Sequence, residues 1–187
     1  MRVIVAISGA TGVIYGIKLL EALQNNKICE IHLLITPWAE RIIESETNFS
    51  VKQVKNYASY YYEINDFDAP IASGSFKTDG MVIVPCSMKT LSAIAHGYAD
   101  NLITRSADVI IKENRKLILV PRETPLSAIH LENMVKLARL GIVILPPIPA
   151  FYYKPKSLNE IIDHSVSKIL DHLGIENHLY QRWGEEN

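Results

Sequence analysis

The stretch Arg2-Val3-Ile4-Val5-Ala6-Ile7-Ser8-Gly9-Ala10-Thr11-Gly12 decides the fold. Its β-branched run, Val3 to Ile7, has no polar alternation, which suits a central parallel strand buried on both faces. A glycine turn follows at once. From Val13 to Leu23 the period becomes helical, with Ile17, Leu20 and Ala22 turning to one side. Strand, tight turn and helix in that order are the opening of a doubly wound α/β sheet.

The pattern repeats downstream. Ile31 to Ile35 predicts a second strand, and Thr36-Pro37 a helix through Glu46, since Thr caps well and Pro suits the first helical position. Tyr60 to Ile64 reads as a strand, and Asp66 to Phe76, with Pro70, Gly74 and several serines, as a loop. Met81 to Val84 predicts a strand stopped by Pro85, followed by a helix from Ser87 to Gly97 and another over Leu102 to Asn114. Leu117 to Val120 predicts a strand stopped by Pro121, Pro125 to Leu140 a helix, and Ile142 to Leu145 a further strand. Ser157 and Glu160 read as a capping box for a last helix ending at Leu173 before Gly174. The expected fold is a mainly parallel α/β sheet, over one domain spanning 1–187.

Composition narrows the function. With 19 basic and 20 acidic residues and no Lys/Arg run, nothing suggests a nucleic-acid partner. No stretch approaches the roughly 20 apolar residues that span a bilayer, and the apolar start is too short for a signal peptide. A cytoplasmic protein with no membrane association is expected. Cys29 and Cys86 match no disulfide framework or metal spacing, and Cys86 reads as a packing residue. His96, His130 and His164 also lack metal spacing and read as core or surface residues.

In such sheets ligands bind beyond the carboxyl ends of the strands. Ser8 to Gly12 feeds a helix N-terminus, a place suited to an anion. It is not the G-x-G-x-x-G fingerprint, and a plain turn capped by Thr11 is the alternative. Ser87-Met88-Lys89-Thr90 opens a second helix, with Lys89 either a ligand or a solvated surface residue. Arg122-Glu123, flanked by prolines, reads either as a local ion pair or as a phosphate-binding Arg beside an acid/base Glu. Arg105, Asp108 and Lys112 share one helix face.

These segments occur together with others. Ser8-Gly9-Ala10-Thr11-Gly12-x-x-Tyr15-Gly16 is followed by Gly74-Ser75-Phe76, Pro85-Cys86-Ser87-Met88-Lys89-Thr90 and Asn101-Leu102-x-x-Arg105-x-Ala107-Asp108-Val109. Then come Val120-Pro121-Arg122-Glu123-Thr124-Pro125-Leu126, His130-Leu131-x-x-Met134, Pro146-Pro147-x-Pro149-Ala150-Phe151-Tyr152 and Arg182-Trp183. In this order the set resembles the UbiX-type flavin prenyltransferases, relatives once described as phenylacrylic or aromatic acid decarboxylases, over nearly the whole chain.

The resemblance implies a Rossmann-like or flavodoxin-like three-layer sandwich that binds reduced FMN. It implies transfer of a dimethylallyl group from dimethylallyl monophosphate to flavin N5 and C6, giving prenylated FMN for a UbiD-type decarboxylase. Gly9, Ala10, Thr11, Thr36, Ser87, Met88, Lys89, Thr90 and Arg122 are then expected to contact FMN. Tyr152 and Lys168 are expected to hold the prenyl phosphate. Lys112 and Glu123 match phosphate-binding and acid/base positions, and Glu46, Arg105 and Trp183 also match site positions. Some relatives have Arg where Lys168 stands; Lys keeps the charge without the bidentate fork, so weaker phosphate binding with retained function is expected. The family assembles as dodecamers with sites at subunit junctions, so a homo-oligomer is expected. No aspartate-rich run of the kind that binds metal-diphosphate is present, consistent with a monophosphate donor and no obligatory metal. Two other readings stay open: an FMN-dependent aromatic acid decarboxylase, and a non-catalytic flavin carrier.

Overall fold

A computed structural model describes residues 1–26 and 29–184. Strands β1 (Arg2–Ile7), β2 (Glu30–Ile35), β3 (Tyr60–Tyr62), β4 (Gly80–Cys86), β5 (Lys116–Pro121) and β6 (Val143–Ile144) form one sheet. Every pairing is parallel, in the order β3-β2-β1-β4-β5-β6. The order reverses between β1 and β4, which opens a crevice beyond their carboxyl ends. Helices α1 (Val13–Asn25), α2 (Pro37–Glu46), α3 (Val51–Lys55), α4 (Met88–Ala95), α5 (Leu102–Lys112), α6 (Ala128–Arg139) and α7 (Leu158–Leu173) connect and cover the strands.

The strand pleat divides the core in two. Val3, Val5 and Ile7 pack with α1, α2 and α7 on one face, while Ile4 and Ala6 pack with α4 and α5 on the other. Both faces of β1 are therefore buried, as its unbroken apolar run demands. Gly16 brings α1 against β4: a Cβ there would lie 2.5 Å from the Val84 carbonyl oxygen.

Several boundaries differ from expectation. Pro85 lies within β4, where the ladder slips between Ile83 and Cys86, so its missing N–H interrupts the pairing without ending the strand. Pro125 does not start α6. Ser127 caps it instead, exchanging bonds with His130, because a hydroxyl cap satisfies a free helix N–H that proline cannot. At α7 only half of the expected capping box forms: Ser157 accepts from the Glu160 N–H, but the Glu160 carboxylate takes the Lys156 N–H. The strand read to Ile64 stops at Tyr62, and the helix read to Asn114 stops at Lys112, Asn114 being left-handed with φ 53°. The short α3, with its Ser50–Gln53 capping box, and a 3-10 turn at Pro70–Ala72 were not expected.

Candidate active site at the carboxyl ends of the strands

Ser8 follows β1 and is fully buried. Its hydroxyl donates to the Pro85 carbonyl (2.9 Å) and accepts from the Ser87 N–H (2.8 Å), tying the tips of β1 and β4 together. The sequence placed Ser8 in the strand-end turn without giving it a role of its own, although a hydroxyl directly after a buried strand was a usable sign. The turn then leaves Gly9 exposed beside Thr36 and Trp38, with room for no Cβ, which would sit 2.8 Å from that of Trp38. Gly12, at φ 89°, occupies the N-cap of α1. No side chain caps this helix, so the Thr11 cap does not form.

Three groups surround the turn. The Gly12 N–H donates to Glu46 Oε2 (2.9 Å) from the last turn of α2. The Tyr15 ring and the Arg122 stem approach Gly12 to 3.3 and 4.0 Å of where its Cβ would be. Burial raises the Tyr15 hydroxyl above its ordinary value, and the Arg122 charge opposes that shift. Arg122 itself makes no hydrogen bond or ion pair among the described residues. The local ion pair with Glu123 is thus absent: Glu123 is exposed and accepts the Thr124 N–H at 3.0 Å. A free guanidinium, an uncapped helix N-terminus and a glycine cradle fit the phosphate end of a nucleotide such as FMN.

Thr36 caps α2, and Ser87 caps α4 by accepting the Thr90 N–H, its hydroxyl 3.1 Å from that of Thr90. Met88 packs on the α4–α5 side of the core. Lys89 points outward, its side chain 79% exposed and 3.6 Å from Asp100. Cys86 is fully buried and its thiol is pushed far up by burial, so it is no nucleophile.

A second group gathers where the chain leaves β6. The Leu145 N–H bonds to the Leu119 carbonyl, so the loop that carries Tyr152 departs from the same edge of the sheet as Arg122. Tyr152 meets Trp183 edge-on at 5.4 Å. Burial and the neighbouring Tyr180 hydroxyl raise the Tyr152 hydroxyl, against the lowering charges of Lys168 and Arg182. Lys168 is exposed on α7 and forms no ion pair among the described residues.

One copy of the chain does not bring Arg105 and Lys112 to these groups. Arg105 is held by the Ala72 carbonyl (3.1 Å) and Asp108 (3.0 Å). Lys112 lies 3.6 Å from Glu113, beside Arg115, which grips the carbonyls of Gly74 and Phe76. The reason is topological: α5 carries the chain back to the start of β5, so its last turn sits at the amino edge of the sheet. Among the described residues no cluster of three or more His, Cys, Asp or Glu side chains suits a metal ion, and no helix is long and apolar enough to cross a membrane.

Fold and site together define a parallel α/β protein whose strand ends suit a nucleotide phosphate. The sequence signature of the Flavoprotein family spans residues 1–170. The chain belongs to that family and, within it, to the UbiX-type flavin prenyltransferases. It is 54% identical over 184 residues to the flavin prenyltransferase UbiX of Methanocaldococcus jannaschii, covering 98% of this chain and 99% of the relative. Its structure matches a dodecameric FMN-dependent UbiX-like decarboxylase from Escherichia coli O157:H7 with a TM-score of 0.97 at 49% identity, over 99% of this chain and all of the other. It also matches AnUbiX (PadA1) in complex with FMN and dimethylallyl pyrophosphate, with a TM-score of 0.95 at 48% identity, over all of this chain and 98% of that one.

Proposed function

We propose that this chain is a flavin prenyltransferase that moves a dimethylallyl group from dimethylallyl monophosphate to N5 and C6 of reduced FMN. The prenylated FMN then serves a UbiD-type decarboxylase. The observation that carries the reading is an unneutralised Lys168 whose charge acts on Tyr152, itself edge-on to Trp183, with a second unneutralised cation, Arg122, at the exit of β5. That set suits a reaction in which an allylic C–O bond breaks, leaving negative charge on phosphate and positive charge on carbon.

Reduced flavin, when bound, supplies the attacking N5 and C6. Gly9 to Gly12, Ser87 and Arg122 hold its phosphate end, with Ala10 and Thr11 lending backbone to the turn and Thr36, Met88, Lys89 and Thr90 bordering it. Lys168 and the Tyr152 hydroxyl receive the prenyl phosphate and stabilise it as it departs, electrostatics being the largest single catalytic term in many enzymes. Tyr152 and Trp183 offer π-faces to the electron-poor allyl carbon. Glu123 moves the proton, giving it to the leaving phosphate or taking it as the new ring closes. Glu46 orders the turn through the Gly12 N–H.

Arg105 and Lys112 enter from a neighbouring copy in a homo-oligomer, dodecameric like the E. coli relative. The exposed apolar face of α6, with Ile129, Leu131 and Val135 outward, supports such assembly. We place the enzyme in the cytoplasm, in keeping with the unpaired Cys29 and Cys86.

The test is anaerobic incubation with reduced FMN and dimethylallyl monophosphate, then mass spectrometry of the released flavin. A flavin heavier by one prenyl unit is expected. Unmodified flavin with both ligands bound would overturn the transferase in favour of a carrier. Carbon dioxide released from an aromatic acid by the chain alone would overturn it in favour of a decarboxylase. Running the diphosphate donor in parallel measures donor preference.

A further inference from the structure

His164 stands in the middle of the second group, yet the transfer reaction as derived above does not use it. It lies on α7, only 8% exposed, and its Nδ1 is buried with no hydrogen-bond partner among the described residues. Three tyrosine rings enclose it. Tyr153 stacks on it at 5.4 Å and 14°, while Tyr180 and Tyr152 meet it edge-on at 4.6 and 6.1 Å. A buried polar atom without a partner is costly, so the position would be filled more stably by an apolar ring unless the imidazole has a use.

The enclosing rings come from two segments with different supports. Tyr152 and Tyr153 belong to the loop after β6. Tyr180 belongs to the C-terminal strap, which Arg182 fastens to Asp171 of α7 through bonds of 2.9 and 2.7 Å. Asn177 adds bonds to Asp171 and Ser167 of the same helix. His164 is thus the point at which loop, strap and α7 meet. Lys168 is four residues further on, one helical turn along the same face. Tyr152 in turn carries Trp183 on its edge.

We propose that His164 is a positioning residue for the prenyl-phosphate end of the site, docking Tyr152 and the strap beside Lys168 only while its ring is neutral. This rests on the transferase reading for its catalytic consequence, but not for the docking itself. The surroundings oppose a charged ring. The titratable and charged groups near it are Tyr152 and Tyr153 on the loop, Tyr180 and Arg182 on the strap, and Lys168 on its own helix. Among the described residues no carboxylate acts on it: Asp171 is committed to Arg182 and Asn177, and Lys18 and Glu21 of α1 act on Asp163 instead. Burial first, and then the Lys168 charge, hold the imidazole below its ordinary value of 6.5. A group with a lowered folded-state value takes up more protons when released. The docked arrangement is therefore at full strength above about pH 6.5 and weakens as pH falls below it.

Hydrogen exchange of residues 175–184 and the KM for dimethylallyl monophosphate are measured at pH 5.5 and 7.5 for the wild type, His164→Phe and His164→Ala. Phenylalanine keeps an aromatic ring that cannot be protonated. The ratio of wild type to His164→Phe, for exchange and for KM, should be higher at pH 5.5 than at 7.5, by several-fold and at most about tenfold. The ratio cancels both the intrinsic pH dependence of exchange and the substrate's own phosphate titration near pH ~6. His164→Ala should exchange faster at both pH values and raise KM about tenfold, with the Kd for FMN unchanged. One shared pH profile for wild type and His164→Phe would overturn the proposal. So would a His164→Ala effect confined to FMN affinity or Tm. If the wild type makes no prenylated flavin, the transferase reading fails, and the exchange ratios alone decide whether His164 docks the strap.

Discussion

Arg122 has Pro121 before it and Glu123 after it, and neither neutralises its charge. Adjacent opposite charges on a chain point apart unless a turn folds them together, and here Glu123 turns to the Thr124 N–H instead. That separation frees both groups for different work. Glu123→Gln should keep FMN binding and lower kcat about 100-fold or more, the loss usual for a missing acid/base group; full turnover in single-turnover assays would sink the acid/base role. Lys168→Met should raise the KM for the prenyl phosphate about tenfold to a hundredfold. Lys168→Arg should restore or tighten binding through the guanidinium fork. Titrating donor at saturating reduced FMN separates the two variants. Residue types at the strand ends marked Arg122 and Glu123 in the sequence, whereas Lys168, which on its own reads as a surface residue, was marked only by the family resemblance. Ser8 was read only as part of the glycine turn and His164 only as a core or surface residue, because their particular contacts are with residues far along the chain, which no local spacing records.

At the scale of elements, the pattern of the apolar residues was sufficient for β1, α1 and β2, because burial on one or both faces writes itself into consecutive residues, and the Thr36-Pro37 start was sufficient for α2. It failed where the backbone overrides side-chain pattern. Pro85 inside β4 is one case, and Ser127 taking the cap from Pro125 is another. The α3 box at Ser50 and Gln53 was legible but lacked an apolar run behind it to draw attention. Gly16 shows how closely α1 must approach β4. Gly16→Ala would drive a methyl to 2.5 Å from a backbone oxygen that cannot rotate away. It should destabilise the chain by about 2–3 kcal/mol, measurable by urea unfolding, even though alanine favours helices.

On the scale of the whole molecule, Arg105 and Lys112 matched site positions in sequence but stand apart from Arg122 in one chain. Sequence similarity cannot tell whether a matching residue serves its own copy or a neighbour. Mixing a Lys112→Ala chain with a Glu123→Gln chain, after dissociation and reassembly, should therefore recover part of the activity lost by each alone. No recovery on mixing would place both residues in one copy's site. Replacing Ile129 and Val135 by Asp should lower the mass seen by light scattering and abolish turnover, without unfolding the chain, since both residues are exposed in the single copy.

The hydroxyl of Ser8 joins two strand tips whose following turns begin α1 and α4. Because the hydroxyl at the end of β1 both donates to the Pro85 carbonyl and accepts from the Ser87 N–H at the end of β4, those two helix starts cannot part or slide without losing both bonds. The side of the crevice formed by the β1 and β4 tips is accordingly a fixed jaw. The opposing jaw, made of Tyr152, Trp183 and the strap, is joined to α7 through the ring contacts of His164 and the partly exposed Arg182–Asp171 pair. Whatever travel the enzyme needs to admit a donor and release a larger flavin falls to that side, and turnover should be limited by how readily the strap lets go.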